Sequence, residues 1–457
     1  MTQPSINRSM FRAYDIRGVV GEDLTAEVVH RIGLAIGTHL GEKGARTLAL
    51  GHDVRPSSVE FHDAMSDALT STGIDVLDIG LVPTPLMYFA VKRFGTDGGV
   101  VITASHNPPQ FNGIKVRQGT LPLVAEGLLE LADRAEAGGF RSGTGTVRRE
   151  DAITPYIDTV TSKFRLARPL KVVLDGGNGC AGLVAPQVME GIGCEVVPLF
   201  VEPDGTFPNH HPDPMKEANL ASLKAKVAEV GADLGVAFDG DGDRLGIVDE
   251  RGRLVSPTEF IALLSRQLLP SHTGAKVIFE VKVSRMLIEE VERLGGELVM
   301  TKVGYPFLIA AMKEHEGLLG GEMSGHFYFD DPDIDFDDGT FTAAILASTL
   351  ASQPSSLATL VDDLPHYPST PEISVHCPDE AKFDIVDRLT AEFIKDYDVI
   401  TIDGARVLFD RGWGVVRASN TEPRLTLRFE AETDADLERI KQVFRQALEA
   451  MGLEATF

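Results

Sequence analysis

Residues 170–182 read LKVVLDGGNGCAG: an apolar run, a Gly-rich turn, then the opening of a helical stretch. The pattern recurs at 47–58 (TLALGHDVRPSS) and 275–287 (AKVIFEVKVSRML). Each copy is followed by a second apolar run that ends in a loop crowded with polar groups. Those loops close GGVVITASHNPPQFNG (98–113), ADLGVAFDGDGDR (232–244) and GLLGGEMSGHFYF (317–329). Strand and helix alternating in this way predict α/β units with mixed, largely parallel sheets. The threefold recurrence predicts three similar α/β domains rather than one large sheet. In open α/β sheets ligands collect beyond the carboxyl ends of the strands, so three such domains facing one central cleft would bring these loops together.

The tail differs. After a Pro-rich break at HYPSTPEISVHCPDE, the stretch RLTLRFEA alternates Leu425, Leu427 and Phe429 with Arg424, Thr426 and Arg428. That is the period of a strand with one buried face. DADLERIKQVFRQALEAM (434–451) then places Leu437, Ile440, Val443, Phe444 and Leu448 at helical spacing. The expected organisation is α/β domains at 1–150, 151–252 and 253–367, and a smaller C-terminal α+β domain at 368–457. The chain's 457 residues exceed what one core ordinarily serves, which agrees with several domains.

Composition narrows the function classes. Hydrophobic residues make up 43% and charged residues 24%, the balance of a soluble globular protein. No apolar run approaches the roughly 20 residues of a membrane-spanning helix. The N-terminal MTQPSINRSMFRAYD lacks the apolar core of a secretory signal. Cys180, Cys194 and Cys377 form neither a zinc pattern nor a disulfide framework, so a cytoplasmic location is expected. The net charge of −25 argues against nucleic-acid or anionic-membrane partners. It would also repel a phosphorylated substrate unless cations gather locally, and candidates interrupt the loops at Arg12, Arg17, Lys115, Arg117, Arg244, Lys282, Arg417 and Arg424.

DGDGDR (239–244) carries the strongest chemical signal. Asp239, Asp241 and Asp243 alternate with glycines that let the backbone fold until the carboxylates converge. An all-oxygen trio suits a hard cation, and one that leaves positions open for phosphate suits Mg²⁺. A calcium EF-hand is excluded although Glu250 stands at the twelfth position, because Arg244 occupies the sixth, where glycine is needed, and a strand precedes the loop. Ser105, in TASHNPPQFNGIKV (103–116), sits just past a strand end and is a candidate nucleophile or phosphoryl carrier, with His106 and Lys115 beside it. Taken alone, the same residues also read as an ordinary Pro-rich turn.

GEMSGH (321–326) offers Glu322 and Ser324 for sugar hydroxyls and His326 for proton transfer, although in isolation that histidine also reads as a structural one. It is not the Gly-x-Ser-x-Gly elbow of a serine hydrolase. RASNTEP (417–423) sets Arg417 beside Ser419, Asn420 and Thr421, a cradle for a phosphate dianion that, in isolation, is equally a polar hairpin loop. DDPDIDFDDG (330–339) holds more aspartates than the chosen loop but lacks a preceding buried strand and ordered glycines. It is expected to be a solvated acidic loop ending in a helix cap.

FRAYDIRG (11–18), TASHNPPQFNGIKV, DGDGDR, GEMSGH and RASNTEP, in this order, resemble the α-D-phosphohexomutases, and within them the bacterial phosphomannomutase/phosphoglucomutase group. The resemblance runs essentially end to end. It implies four domains around a deep cleft, Ser105 phosphorylated in the active enzyme, and one Mg²⁺ bridging Asp239, Asp241, Asp243 and an oxygen on Ser105. It implies transfer between the 1- and 6-hydroxyls of a hexose phosphate through a 1,6-bisphosphate, with glucose or mannose 1,6-bisphosphate as primer. It further places Tyr14 and Arg17 at the cleft wall and makes Lys115 and His326 acid/base candidates. Lys282 becomes a substrate lysine, Arg244 a neighbour of the transferred phosphate, and Arg417 to Thr421 the holder of the other phosphate, on a movable domain. A monomer or weak homo-oligomer acting on a phosphosugar is expected.

One position departs from the family pattern. TKVGYPFL (301–308) has Tyr305 where related dual-specificity enzymes carry histidine, and a neutral phenol cannot act as a protonatable imidazole. The glucose/mannose balance is therefore open at this loop. Met323 in GEMSGH, where phosphoglucosamine mutases usually have glutamine, favours neutral hexoses. The rivals are a phosphoglucosamine mutase and, from another class, a metal-dependent sugar phosphatase.

Overall fold

The computed structural model describes residues 5–420, 422–455 and 457. The chain divides into two compact units, one comprising the residues up to Val255 together with Ser324–Thr359, the other Ser256–Met323 with Leu360–Phe457. Among the described residues no helix is long and apolar enough to cross a membrane.

The first unit contains two sheets. In one, parallel strands Thr47–His52, Asp75–Leu81, Gly98–Ile102 and Val147–Arg149 are extended by antiparallel Phe111–Gln118 and Ile16–Val19. The helix Ala26–Glu42, N-capped by the Thr25 hydroxyl, buries Val29, Ile32 and Ile36 in the core beneath it. In the other sheet, Cys194–Leu199, Leu170–Asp175 and Leu234–Phe238 run parallel, and Leu245–Asp249 returns antiparallel. The strands Gly98–Ile102 and Leu234–Phe238 are buried at every residue, as parallel strands covered on both faces must be. Each therefore delivers its following loop, Ser105 in one case and Asp239–Asp243 in the other, from a rigid base.

The second unit has Lys276–Glu280 parallel to both Glu297–Thr301 and Gly317–Gly321. It also has an antiparallel sheet ordered Ile373–His376, Arg424–Ala431, Gly412–Ala418, Ala405–Phe409, Asp398–Ile400. Helices Lys382–Phe393 and Asp434–Ala450 bury Leu389, Phe393, Ile440 and Phe444 against that sheet. The fold is thus α/β with a smaller C-terminal α+β part.

Arg424–Ala431 does not have one wet face. Thr426, Arg428 and Glu430 are buried along with the leucines. The polar face is covered within the same unit: Arg428 donates to the carbonyl of Lys282 at 2.8 Å, and Glu430 accepts from Trp413 Nε1 at 2.9 Å. Arg406, stacked 3.9 Å from the Trp413 ring centre, donates to the carbonyls of Val281 and Val283 at 2.6 and 2.8 Å. Alternation reveals the strand, but which face meets water depends on what packs over it.

Candidate active site

In the first unit Ser105 follows its buried strand by three residues and holds φ at 50°, a conformation rare for a residue with a side chain. Its amide donates to Thr103 Oγ1 at 3.0 Å, and its hydroxyl donates to Asp239 Oδ2 at 2.6 Å. His106 Nδ1 lies 3.3 Å from the same hydroxyl. The metal-loop backbone approaches closely: a Cβ at Gly240 would lie 2.5 Å from the Ser105 carbonyl oxygen, so that residue must be glycine. Gly242, at φ 77°, turns the chain so that its amide reaches back to Asp239 Oδ1 at 3.0 Å.

Asp239, Asp241 and Asp243 are fully buried, and each offers an oxygen within 4.8 Å of the others. Lys115 Nζ donates to Asp241 at 3.0 Å and to Asp243 at 2.6 Å, and Thr84 donates to Asp241 at 2.7 Å. Asp241 Oδ1 and Asp243 Oδ1 are buried without a hydrogen-bond donor. Two orphaned carboxylate oxygens beside a third buried acid fit a hard divalent cation, because burial of unpaired acceptors is otherwise costly. The electrostatics agree. Burial, then the charges of Asp243 and Asp241, push the Asp239 carboxyl well above its ordinary range. Burial acts upward on Asp241 too, but Lys115 and the Thr84 hydroxyl outweigh it and hold that carboxyl low. Burial, followed by the charges of Arg244 and Arg17, pushes His106 well below the ordinary histidine value, so its ring is neutral at pH 7.

Arg244 Nε donates to His326 Nε2 at 3.0 Å. Arginine only donates, so the proton of a neutral His326 sits on Nδ1, which lies 2.9 Å from Asp337 Oδ2. Arg17 pairs with Asp15 at 2.8 Å and donates to Asn107 Oδ1 at 2.7 Å, which ties it to the serine loop. Tyr14 precedes this strand and is half-buried, as is Ser324. The Gly325 carbonyl accepts from the Leu245 amide at 3.0 Å, which fastens the His326 turn to the strand leaving the metal loop. The structure thus gathers Ser105, His106, Lys115, the three aspartates, Arg244 and His326.

The acidic stretch 330–339 is only partly the solvated loop expected of it. Asp338 does cap the helix Gly339–Ala351, accepting from Phe341 N at 2.9 Å, but Asp337 and Asp338 are both buried. Ile334 and Phe336, apolar and buried among the aspartates, are the sequence signal that this loop is anchored. Asp337 and Thr84 carry no motif that singles them out, and Asn107, although inside TASHNPPQFNGIKV, has no role that its spacing alone assigns. Nor does a motif single out Arg55, which lies beneath the serine loop and donates to the carbonyls of Ser105, Asn107, Pro108 and Phe111.

The other residues lie in the second unit, and the division between units falls inside GEMSGH, after Met323. Glu322 is buried at the end of Gly317–Gly321 and accepts from Gly304 N at 2.6 Å. Tyr305, also buried, opens the helix Tyr305–His315. Lys282 Nζ sits 2.6 Å from Glu372 and 3.5 Å from Glu280. Burial works against its charge, but the two carboxylates win and raise it. Arg417, at the end of Gly412–Ala418, pairs with Asp403 at 2.8 Å and Thr426 at 3.3 Å. Ser419 Oγ accepts from Glu422 N at 3.2 Å, which shapes the turn that carries Asn420. Thr421 lies outside the described residues. Asp403, Glu280 and Glu372 have no sequence motif to mark them.

Comparison with known proteins covers nearly all of the chain. Models of phosphoglucomutase/phosphomannomutase alpha/beta/alpha domains I, II and III match residues 8–141, 154–252 and 256–367, and the C-terminal domain model matches 372–447. The chain is 43% identical over 449 residues to a phosphomannomutase/phosphoglucomutase of Pseudomonas aeruginosa, covering 98% of this chain and 97% of the relative. It is 42% identical to a phosphoglucomutase of Neisseria gonorrhoeae, covering 98% of each. A crystal structure of a phosphoglucomutase/phosphomannomutase family protein from Burkholderia thailandensis superposes with a TM-score of 0.92 at 40% identity, covering 98% of each chain. With four domain matches in order and relatives this similar along their full length, the chain belongs to the bacterial phosphomannomutase/phosphoglucomutase group of the α-D-phosphohexomutases.

Proposed function

We propose that this protein interconverts hexose 1-phosphates and hexose 6-phosphates of glucose, mannose or both, with phospho-Ser105 as the phosphoryl carrier. The observation that carries the reading is the Ser105 hydroxyl 2.6 Å from Asp239 within a fully buried acidic trio that retains orphaned oxygens. Mg²⁺ on Asp239, Asp241 and Asp243 would supply charge neutralisation for the phosphoryl group in flight. The chain's own residues do the rest. The substrate's free hydroxyl attacks the phosphorus on Ser105, the Oγ–P bond breaks as the sugar O–P bond forms, and the hydroxyl proton passes by way of Lys115 or His326 to the departing Ser105 Oγ. Arg17 and Arg244 offset phosphate charge, and His106, held neutral, contributes a hydrogen bond rather than a charge. Glu322 and Ser324 read the sugar hydroxyls, while Lys282, Arg417, Ser419, Asn420 and Thr421 bind the phosphate that stays. The 1,6-bisphosphate then reverses, and Ser105 takes back the other phosphoryl group. A bisphosphate of glucose or mannose primes the serine.

The match ranges leave gaps at the proposed domain boundaries near 150, 252 and 367, which supports them. Three buried free thiols suit a reducing, cytoplasmic setting. A coupled assay with glucose 1-phosphate, mannose 1-phosphate and glucosamine 1-phosphate, with Mg²⁺ and a bisphosphate primer, tests the reading. Isomerisation of the neutral sugars is expected. Release of inorganic phosphate without isomerisation would make the protein a phosphatase, and exclusive use of the amino sugar would make it a phosphoglucosamine mutase. Tyr305→His should shift the glucose/mannose ratio; an unchanged ratio rejects Tyr305 as a selector.

A further inference from the structure

Within the second unit, Asp403 touches two groups that the proposed function assigns to different tasks. It sits in the turn between strands Asp398–Ile400 and Ala405–Phe409. Its Oδ2 accepts from Arg417 Nε at 2.8 Å and from the Val303 amide at 3.0 Å. The next amide along, that of Gly304, donates to Glu322 Oε1 at 2.6 Å. Two successive N–H groups immediately before Tyr305 are therefore held by two carboxylates, one beside the phosphate-binding arginine and one on the sugar-reading loop.

The backbone at both ends is built for this contact. Gly304 holds φ at 131°, which side-chain-bearing residues rarely adopt. A Cβ at Gly404 would lie 2.2 Å from the Val416 carbonyl oxygen and 2.9 Å from the Arg417 Cα, so only glycine lets the Asp403 turn seat on the Arg417 strand. With Asp403 on Nε and Thr426 on Nη1, the plane of the Arg417 guanidinium is fixed. A phosphate arriving at Arg417 meets a guanidinium that Asp403 has already oriented, and its binding alters how strongly that guanidinium pulls on Oδ2. As that pull on Oδ2 changes, the Val303 amide on the same oxygen responds.

We propose that Asp403 is a positioning residue that couples the phosphate-binding Arg417 to the loop Val303–Tyr305 and, through the Gly304 amide, to Glu322. This rests on the proposed function, which gives Arg417 the non-reacting phosphate and Glu322 the sugar hydroxyls. Phosphate engagement then prepares the sugar reader before the reacting hydroxyl is in place, in either orientation of the sugar.

Asp403→Asn tests the coupling, because it keeps volume and acceptor while removing charge. The expected result is a KM for glucose 1-phosphate and mannose 1-phosphate about tenfold higher, the size of one charge-assisted hydrogen bond, with kcat within about threefold. Wild-type KM values overturn the proposal, as does an equal loss of kcat and melting temperature at unchanged KM, which is what a merely structural ion pair gives. Binding of glucose 6-phosphate, measured by calorimetry in a Ser105→Ala background, supplies a catalysis-free arm. There Asp403→Asn and Glu322→Gln should combine to a Kd that departs at least about threefold from the product of their single effects. Additive effects overturn the coupling. Absence of isomerisation by the wild-type protein would instead defeat the mutase reading, and the calorimetric cycle would still report on Asp403.

Discussion

Replacing Arg55 by lysine asks whether the Ser105 loop is held in shape from beneath. Arg55 is 1% exposed, and its Nη1 donates to the carbonyls of Pro108 and Phe111 at 2.7 and 2.9 Å. Nη2 donates to those of Ser105 and Asn107 at 2.7 and 2.6 Å, and Nε to Asp53 Oδ2 at 3.1 Å. Five N–H donors meet five acceptors. Lysine keeps the charge but brings three donors on one nitrogen, so at least two acceptors lose their partner. At about 1–3 kcal/mol for each orphaned buried group, the cost is about 2–6 kcal/mol. Domains are stable by about 5–15 kcal/mol, so the fold survives while the loop loosens. Ser105 is the residue most affected. Its positive φ costs on the order of 1–3 kcal/mol and persists only while its surroundings over-determine it. A displacement of the nucleophile by about 1 Å lowers turnover about 100-fold. Arg55→Lys is therefore expected to lose about two orders of magnitude in kcat with glucose 1-phosphate. Amide exchange should accelerate across residues 103–113 and remain unchanged in the second unit. Wild-type turnover with wild-type exchange in that segment would show that Arg55 does not hold the serine loop in shape.

Three further outcomes follow from the same geometry. Asp337→Asn can present an amide donor to His326 Nδ1 and push the ring proton to Nε2, where it meets the Arg244 donor; kcat should fall about 10²–10⁴-fold, and a change under about twofold would show that this contact does not set the tautomer. Burial pushes the Asp338 carboxyl up to about 7, against about 3.9 for an unfolded chain. The folded state then binds more protons between those values, so this residue makes stability fall as pH rises from about 4 to 7, by about 4 kcal/mol in all. Asp338→Asn should remove that slope in denaturation measured across the window, and parallel pH curves for the two proteins would contradict it. Chelation of divalent metal should abolish turnover and Mg²⁺ should restore it, while Asp241→Asn should weaken Mg²⁺ affinity about 100-fold or more by titration calorimetry. Full turnover in excess chelator would remove the metal from the proposal.

Much of the fold and of the site is legible in the amino-acid sequence, because chemistry concentrated in short stretches leaves a local record. DGDGDR marks its own convergence: glycines between the aspartates are what allow Gly242 to take φ 77° and bring the carboxylates together. The strands leading to Ser105 and Asp239 show themselves as apolar runs, and the helix Asp434–Ala450 by its 3.6-residue period. RLTLRFEA is a strand, as its alternation predicts, but not the half-solvated one that the same alternation suggests. Its polar face is covered by Trp413 and the 281–283 segment, which no alternation pattern can reveal.

The partners of these residues, by contrast, are set by long-range packing. Arg55 and Thr84 act on groups 50 and 157 residues away, Asp337 on His326 just before the preceding strand, and Asp403 on Arg417 across a turn of the opposite strand, so no spacing rule points to them. Asp337 even stands in a stretch whose composition predicts solvation, although two buried apolar neighbours oppose that reading. Which residue types converge can be read from the order of amino acids, because loop chemistry and strand periodicity are local properties of the chain. Structure decided how Ser105, the aspartates and Arg417 are held and charged, because burial and hydrogen-bond partnership belong to the packed molecule.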